Sequence, residues 1–374
     1  MEKKFEFNMS PEFVEYFKDL KQVFLYLIDD CQLKCVQCLY KLENNFNVAR
    51  KQIDPEQALM MVRDFYKLGA RKLTLMGGEP TLYDFKNNRE AFFSIIDEAK
   101  EIGYEYVRID TNGQFETSLL DNPSMKKLDE ITFSLDGPNA EINDAVRGKG
   151  SYNNIIRNIK RAVELGYNVN ITSCIHKGLI QRNANNELYI SEMIHFTHSL
   201  GVTCINFHDL FKAGIPRDFW TGKIDISVDE WFAVWEELQK NIENNVYPIP
   251  VRIPQSFVTE KEFDSNPEYY GYCSAKTGDR ILIHPNGIMR VCSLMIGTPY
   301  GVARYHDKDI TWDTGYTNEL GAHEMDKLTP CTNQNKGTMF GCFKPLCVSF
   351  KPKQNEFVWD LKLEWEKKKL SCQD

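Results

Sequence analysis

The sequence lacks the features that mark membrane, secreted and nucleic-acid-binding proteins. None of its apolar runs is long enough to span a bilayer, and the start, from Met1 to Glu6, has no apolar core of a secretory signal. Basic residues are not in excess, since the net charge is −8 at pH 7, which argues against a nucleic-acid surface. No internal repeat or low-complexity segment is evident. We therefore expect a cytoplasmic globular protein without a membrane or nucleic-acid partner.

Cysteine, by contrast, is abundant, with eleven residues in the chain. An odd count without an export signal favours metal ligation over disulfides. Most of the cysteines form two groups, one from Cys31 to Cys38 and one from Cys273 to Cys347. Cys174 and Cys204 lie in predicted strands, where cysteine is usually a small buried hydrophobe. Two separate metal-bearing regions are the simplest interpretation.

The first group places Cys31, Cys35 and Cys38 directly after an apolar, β-prone run from Val23 to Ile28. Three thiolates leave one iron of a [4Fe–4S] cluster without a protein ligand. A zinc ribbon would need a distant second pair of cysteines, and a thioredoxin-like motif only one pair. Polar residues between the cysteines argue against a plain apolar core. The spacing therefore predicts a cluster with one open coordination site.

From Val23 onwards the chain alternates predicted strands and helices. The expected strands are Val23 to Ile28, Lys72 to Met76, Tyr106 to Ile109, Glu130 to Leu135, Asn168 to Ile175 and Val202 to Phe207. Helices are expected from Pro11 to Leu20, Asp54 to Leu68, Asn88 to Ile102, Ser151 to Leu165 and Asn186 to Leu200, with a short piece near Pro123 to Leu128. Six such units predict a parallel sheet with right-handed crossovers. The informative loops all follow strands, which favours an α/β fold of the partial (β/α)6 TIM-like barrel type over a doubly wound sheet.

Beyond the barrel the pattern changes at a proline-rich connector, Tyr247 to Pro254. A hairpin is expected about Pro285-Asn286-Gly287, because Asn-Gly between apolar runs favours a tight turn. We predict a lead-in at 1–20, the barrel at 21–215, a linker and helix at 216–254, a cysteine-rich domain at 255–350 and a tail at 351–374.

The loops after the strands carry the candidate binding residues. Glycines let a backbone approach a ligand closely, and Glu79 adds an acceptor beside two of them. An Asx-turn is the alternative for Asn112, and a surface salt bridge is the alternative for Arg147. The histidines at strand ends, His176 and His208, either contact a ligand or are satisfied loop residues. The candidates for cofactor binding are Gly77, Gly78, Glu79, Asn112, Ser134, Asp136 and Arg147.

Together the motifs Cys-x3-Cys-x2-Cys, Gly-Gly-Glu and Thr-Asn-Gly resemble the radical S-adenosylmethionine (radical SAM) superfamily. The run Ser-Leu-Asp-Gly-Pro, followed by Asn-Asp-x-x-Arg and Gly-Ser-Tyr, resembles its branch with a SPASM or twitch extension. The resemblance implies that the open iron binds the amino and carboxylate groups of S-adenosylmethionine, whose cleavage yields a 5′-deoxyadenosyl radical. It also implies that Gly-Gly-Glu binds the amino group, while Ser134 and Asp136 would hold ribose hydroxyls and Arg147 the carboxylate. Two departures are Gln37, where the family usually has an aromatic residue, and Asn143, where many members have histidine.

The second cysteine group resembles the auxiliary-cluster motif of that branch through Cys273, Gly287 and Cys292. Two fully ligated auxiliary clusters need eight cysteines, and this region offers six even when Cys372 is included. We expect one auxiliary [4Fe–4S] cluster, as in the shorter twitch arrangement, with a zinc site as the alternative. The expected ligands are Cys273, Cys292, Cys342 and Cys347, and Cys331 or Cys372 are further candidates.

By the same resemblance we expect an enzyme that abstracts a hydrogen atom from a peptide or protein substrate, giving an oxidation, a cross-link or an epimerised centre. A small polar metabolite, such as an aminosugar or nucleoside, is the alternative substrate. A structural iron–sulfur scaffold is the alternative from another class. The expected electron donor is flavodoxin or ferredoxin. No catalytic side chain is assigned from the sequence.

Overall fold

A computed structural model describes residues 4–38, 52–208, 228–253, 278–291 and 301–313, with the single residues 224, 226, 293 and 296. Its strands are β1 (Asn8–Met9), β2 (Gln22–Tyr26), β3 (Lys72–Met76), β4 (Tyr106–Thr111), β5 (Glu130–Ser134), β6 (Val169–Cys174), β7 (Cys204–His208), β8 (Val251–Arg252), β9 (Arg280–Ile283), β10 (Ile288–Arg290), β11 (Ala303–His306) and β12 (Asp309–Trp312). Its α-helices are α1 (Pro11–Tyr16), α2 (Pro55–Leu68), α3 (Glu90–Ile102), α4 (Ala140–Arg147), α5 (Ser151–Glu164), α6 (Tyr189–Ser199) and α7 (Val228–Glu243).

One sheet joins these strands in the order β1-β12-β11-β10-β9-β2-β3-β4-β5-β6-β7-β8. Strands β2 to β8 pair in parallel, each with the next along the chain. Among the described strands β8 lies at one edge, so the parallel run forms an open barrel. The predicted partial (β/α)6 barrel is therefore confirmed.

The two faces of the barrel sheet differ sharply. Alternate residues along β2 to β6 are fully buried, for example Leu75, Ile109 and Phe133 at 0% exposure, and they pack with the helices in one apolar core. Each such side chain contributes about 1.5–3 kcal/mol by leaving water. The other face carries polar side chains. They are Gln22, Thr74, Arg108, Asp110, Glu130, Thr132 and Asn170. Because the helices cover the apolar face, this polar face lines the concave inside of the barrel, which we call the lumen.

The predicted hairpin is confirmed by the antiparallel pairing of β9 with β10, and Gly287 in its turn has a φ of 86°. Strand β9 also pairs in parallel with β2, so the sheet of the barrel continues into the region beyond the proline-rich connector. The N-terminal lead-in is part of the same sheet, because Asn8 pairs with Asp309. The predicted domain limits stay predictions.

Several element bounds differ from those expected. Helix α6 begins at Tyr189 rather than Asn186, because Asn186 has a left-handed φ of 62°. Helix α4 was not expected, and it begins where the Asn139 side chain accepts the N–H of Ile142. Strand β2 ends at Tyr26, two residues earlier than expected. Within the described part of the chain, no helix is long and apolar enough to cross a membrane.

Candidate active site

The cysteine loop follows β2 at the carboxyl end of the barrel. Cys31, Cys35 and Cys38 are free thiols of intermediate burial. The sulfur of Cys31 accepts the backbone N–H of Leu33 at 3.4 Å and the side-chain amide of Asn112 at 3.3 Å. The Cys35 sulfur lies 3.8 Å from the carbonyl oxygen of Arg147. The loop is thus tied to two other loops of the barrel mouth.

This environment suits thiolates that ligate a cluster. Burial, together with the charges of Glu79, Cys35 and Cys38, raises the pKa of the Cys31 thiol to about 12. Three neighbouring thiols therefore ionise together only where a cation offsets their charge. Two N–H groups already point at the Cys31 sulfur, as they do at cluster ligands. No three acidic, histidine or cysteine side chains of the described residues converge on a single ion, and in a [4Fe–4S] cluster each thiolate binds a different iron.

The glycines after β3 are required by the cysteine loop itself. A Cβ on Gly77 would lie 2.4 Å from the carbonyl oxygen of Ile28, and one on Gly78 would lie 2.2 Å from that of Asp30. The N–H of Gly78 donates to Ile28 at 2.6 Å. The sequence predicted that these glycines let the backbone approach a ligand. In the described contacts, the glycine backbone instead approaches that of the cysteine loop. Binding of a cofactor amino group by these residues stays a prediction.

Glu79 joins the mouth loops together. Its carboxylate is 1% exposed and accepts the hydroxyls of Thr111 at 2.7 Å and Thr81 at 2.8 Å. It also accepts the backbone N–H of Asn112 at 2.8 Å and that of Thr81 at 3.2 Å. Burial raises the pKa of Glu79, and these four hydrogen bonds oppose the rise. The carboxylate consequently fixes the Thr-Asn-Gly loop beside Cys31.

Asn112 forms the Asx-turn that the sequence offered as the alternative, and it also contacts the cysteine loop, while its binding of a cofactor stays a prediction. Its side-chain oxygen accepts the N–H of Gln114 at 2.8 Å, which is the Asx-turn contact. Its side-chain nitrogen donates to the Cys31 sulfur at 3.3 Å. The turn therefore orients an amide donor onto a candidate cluster ligand.

Asp136 and Arg147 bind each other. Asp136 is fully buried, and one of its oxygens lies 2.6 Å from Nε of Arg147 and 2.5 Å from the side-chain nitrogen of Gln37. Its other oxygen accepts the N–H of Cys174 at 2.7 Å. Burial works against the charge of Arg147, yet Asp136 and Cys35 raise its pKa. Arg147 is 8% exposed and is not a surface salt bridge.

These contacts favour a positioning role for the pair, and the predicted contacts with ribose hydroxyls and with a carboxylate stay predictions. Gln37 connects the cysteine loop to Asp136, a link that the sequence did not reveal because the two residues are 99 positions apart. Ser134 ends β5 at intermediate burial. His176 is 2% exposed and lies 2.8 Å from the carbonyl oxygen of Asp136, so it is a satisfied loop residue.

The lumen holds a hydrogen-bonded group of ionisable residues that sequence reasoning missed. The Arg108 guanidinium lies 3.2 Å from the Thr74 hydroxyl, 3.3 Å from Glu130 and 3.4 Å from Asp110. Glu130 also accepts hydrogen bonds from Tyr106 and Asn170. The signal was present in β4, where Tyr-Val-Arg-Ile-Asp alternates polar and apolar residues with a period of two.

All candidate ligands of the auxiliary cluster lie outside the described residues. They are Cys273, Cys292, Cys342 and Cys347, with Cys331 and Cys372 as the further candidates. Their assignment stays a prediction.

Comparison with known proteins agrees with the site. The model of the Radical SAM superfamily matches residues 25–182. The GTP 3′,8-cyclase of Aquifex aeolicus is 31% identical over 238 residues, which cover 63% of this chain and 68% of that protein. A probable GTP 3′,8-cyclase of Saccharolobus solfataricus is 23% identical over 277 residues, 74% of this chain and 83% of that protein.

Solved structures share the fold. SuiB of Streptococcus suis, bound to S-adenosylmethionine, superposes with a TM-score of 0.60 at 15% identity, over 91% of this chain and 78% of its own. The structure called native anSMEcpe with bound AdoMet has a TM-score of 0.61 at 15% identity, over 93% of this chain and 98% of its own. At this identity the likeness concerns the fold alone.

The relatives correct the expectation about substrate. A peptide or protein substrate was expected from the SPASM/twitch-like motifs. The relatives that are similar in sequence are named as cyclases of GTP, a small molecule. A structure bound to a precursor peptide is similar only in fold, at 14% identity. The expectation of a peptide or protein substrate is therefore wrong.

Proposed function

The chain belongs to the radical SAM superfamily, and from that membership we propose that it abstracts a hydrogen atom from a small polar molecule of the purine nucleoside or nucleotide class. The observation that carries the substrate class is the 31% identity with a GTP 3′,8-cyclase over 68% of that protein. The polar lumen beneath the cysteine loop supports it, because it offers hydrogen-bonding groups to a polar ligand.

Cys31, Cys35 and Cys38 are the proposed ligands of a [4Fe–4S] cluster. With S-adenosylmethionine, this cluster supplies the electron and the 5′-deoxyadenosyl radical that removes the hydrogen atom. The amide of Asn112 and the N–H of Leu33 hydrogen-bond to the Cys31 sulfur, and such bonds adjust a cluster's reduction potential. Glu79 holds the Asn112 loop in place. The buried Asp136–Arg147 ion pair positions the cysteine loop through Gln37.

The name of the relatives indicates which carbon would lose its hydrogen. A 3′,8 linkage joins ribose carbon 3′ to purine carbon 8 within one nucleotide. Carbon 3′ is saturated and carries a hydrogen that only a strong radical removes. We therefore propose carbon 3′ of a purine nucleotide as the site of abstraction.

The test is anaerobic reconstitution with iron and sulfide, followed by dithionite, S-adenosylmethionine and GTP deuterated at carbon 3′. The proposal predicts 5′-deoxyadenosine that carries deuterium. Unlabelled 5′-deoxyadenosine would exclude abstraction at that carbon. If the yield does not exceed that of a Cys31→Ala control, the scaffold alternative is favoured instead.

The finer cofactor and partner assignments belong to the same proposal. One auxiliary cluster besides the first predicts about eight irons per chain, and its absence about four. The proposed ligands are Cys273, Cys292, Cys342 and Cys347, with Cys331 or Cys372 as replacements. Flavodoxin or ferredoxin as the electron donor, and a cytoplasmic location, complete the proposal.

A further inference from the structure

Helix α5 presents an exposed row of cations on a protein whose net charge is −8. Arg157 and Lys160 are exposed on the helix, and Lys149 is exposed in the turn that precedes it. Helix positions three or four apart are neighbours on one face, so Asn153, Arg157 and Lys160 share the outer face of α5. We call Lys149, Arg157 and Lys160 the basic stripe. Its charge has the opposite sign to that of the protein as a whole.

The basic stripe is not neutralised as the cations of the neighbouring helices are. On α2, Lys67 pairs with Asp64 at 2.8 Å, and on α3, Lys100 pairs with Asp129 at 2.8 Å. The ion pairs of α5 among the described residues involve Arg161 and not the basic stripe. The unpaired cations therefore leave a positive surface that an acidic molecule can approach.

The acidic residues near the basic stripe are engaged with other groups. Asp144 accepts two backbone N–H groups where α5 begins, at 2.6 and 2.9 Å. Asp121 and Glu164 both pair with Arg161, at 2.7 and 3.6 Å. Glu141 lies in the first turn of α4, about 9 Å along that helix from its last residue. The positive charge of the stripe is thus locally in excess.

One end of the basic stripe lies beside the cysteine loop. The Cys35 sulfur lies 3.8 Å from the carbonyl oxygen of Arg147, and Lys149 follows Arg147 by two residues. Lys34, directly before Cys35, is a further exposed cation of the same mouth. Exposed positive charge therefore flanks the candidate cluster site on both chain segments that meet there.

The first turn of α5 is joined to the cysteine loop as well. The Gln114 side chain donates to the carbonyl oxygen of Ser151 at 2.9 Å, and the Gln32 side chain donates to that of Gln114 at 2.8 Å. Gln32 is exposed and follows Cys31 directly. Helix α5 consequently begins at the candidate cluster site and runs away from it along the outside of the barrel.

We infer that the basic stripe is the docking surface for an acidic one-electron carrier protein of the flavodoxin or ferredoxin class. The inference rests on the proposed function, because radical formation from S-adenosylmethionine requires one electron at the cluster. One electron passes from the reduced carrier to the oxidised cluster, so the carrier is oxidised and the cluster is reduced. Complementary charge speeds such encounters, and electron-transfer complexes are small and transient. One helix face and the adjoining loop are sufficient for them.

The position of the basic stripe favours a small acidic protein over other anions. The stripe is exposed on the outside of the barrel, so it does not enclose a small phosphate compound. A nucleic acid carries charge along its whole length and would extend past the stripe onto an acidic protein. A small carrier covers only the stripe and the cysteine loop beside it.

The test measures anaerobic binding of purified flavodoxin, and separately of plant-type ferredoxin, to the immobilised, reconstituted holoenzyme by surface plasmon resonance. The variant combines Lys149→Gln, Arg157→Gln and Lys160→Gln. Loss of three exposed charge pairs predicts about ten-fold weaker binding at low ionic strength, mainly through slower association. Near 1 M salt, where the screening length is about 3 Å, the difference is expected to disappear.

The matched control removes the same number of positive charges from the opposite end of the barrel. Its three lysines are exposed and form no ion pair among the described residues, and they lie before β2, at the start of β3 and in the last turn of α7. The control combines Lys21→Gln, Lys72→Gln and Lys240→Gln. It is expected to bind the carriers as the natural chain does. Dithionite needs no docking surface, so 5′-deoxyadenosine formation with dithionite should be equal in all three proteins.

Tighter binding of one carrier than of the other would identify the donor class, provided that only the stripe variant weakens it. Equal affinity of the stripe and control variants for both carriers would overturn the inference, as would a natural chain that binds neither carrier. Tighter binding of a 20-nucleotide RNA than of either carrier would make the stripe a nucleic-acid surface and would also overturn it. In these cases the proposed function stands if dithionite supports 5′-deoxyadenosine formation. If the natural chain forms none with dithionite, the proposed function itself fails.

Discussion

The two faces of one barrel sheet follow different rules in this protein. On the helix side, Leu75, Ile109 and Phe133 are fully buried in a continuous apolar core. On the lumen side, most of the residues next to them in sequence are polar, as Arg108 and Asp110 flank Ile109. Closed barrels of this type fill their interior with apolar side chains. The contrast teaches that one face supplies the apolar core, while the other keeps polar side chains that the proposed function would use for a ligand.

Loss of a candidate cluster ligand is expected to have the largest effect. Cys31→Ala should lower 5′-deoxyadenosine formation by more than about a hundred-fold, because the cluster loses a thiolate ligand. The measurement is the rate of 5′-deoxyadenosine release together with iron content. Cys204→Ala, a buried cysteine on β7, is the control and should keep the full iron content. A Cys31→Ala protein with normal iron and activity would contradict the site.

Substitutions on the helix-covered face of the sheet are expected to change the stability of the fold. Ile109→Ala is expected to lower the free energy of unfolding by about 2–5 kcal/mol, because it leaves a cavity in the apolar core. Its sequence neighbour Asp110 faces the lumen, so Asp110→Asn is expected to lower the free energy of unfolding by less than Ile109→Ala. Denaturant unfolding of both variants checks this pair. An equal loss of stability in both would mean that the lumen side is also core.

The junction between the faces and the cysteine loop is tested at Gly78. Gly78→Ala places a Cβ 2.2 Å from the Asp30 carbonyl oxygen, so the loop must shift. We expect a loss of about 1–3 kcal/mol of stability, as for other overpacked sites, and a matching fall in iron content. Gly166→Ala has no atom within 4 Å of the added Cβ and strains only the backbone, at a φ of 81°. Unchanged iron content in Gly78→Ala would show that the loop does not need this approach.

The smallest effect is expected at Gln37. Gln37→Leu removes the hydrogen bond to Asp136 while the other partners of that carboxylate remain. A loss of about 1 kcal/mol corresponds to about fivefold weaker binding of S-adenosylmethionine. Equilibrium dialysis measures the affinity for S-adenosylmethionine and compares it with that of Gln57→Leu. In this control, a surface hydrogen bond from the Gln57 amide to the Asp307 carbonyl oxygen is lost. Equal affinity of the two variants for S-adenosylmethionine would contradict a positioning role for Gln37.

Local patterns predicted the elements that local chemistry determines. Asp54 caps α2 with hydrogen bonds to Glu56 and Gln57, and the Asn-Gly turn forms the β9–β10 hairpin. The cysteine spacing located the candidate cluster because three thiolates define it by themselves. The period of two in β4 already indicated a polar face, although the prediction assigned this segment only as a strand.

Long-range partners could not be predicted from one sequence. Asn8 pairs with Asp309 across 301 positions, and nothing in a two-residue strand signals such a pairing. Asp136 and Arg147 were each expected to face a cofactor, but charges of opposite sign that meet in a buried loop bind one another first. The substrate class was also beyond local pattern, because the motifs describe the radical-forming site and not the lumen.

The proposed radical chemistry depends on one iron that no side chain of the protein ligates. Electron–nuclear double resonance of the dithionite-reduced enzyme with S-adenosylmethionine labelled with nitrogen-15 at the amino group tests this most directly. We predict a resolved nitrogen-15 coupling to the cluster, which is lost in Cys31→Ala. A reduced cluster with no coupling to the bound compound would contradict an open coordination site.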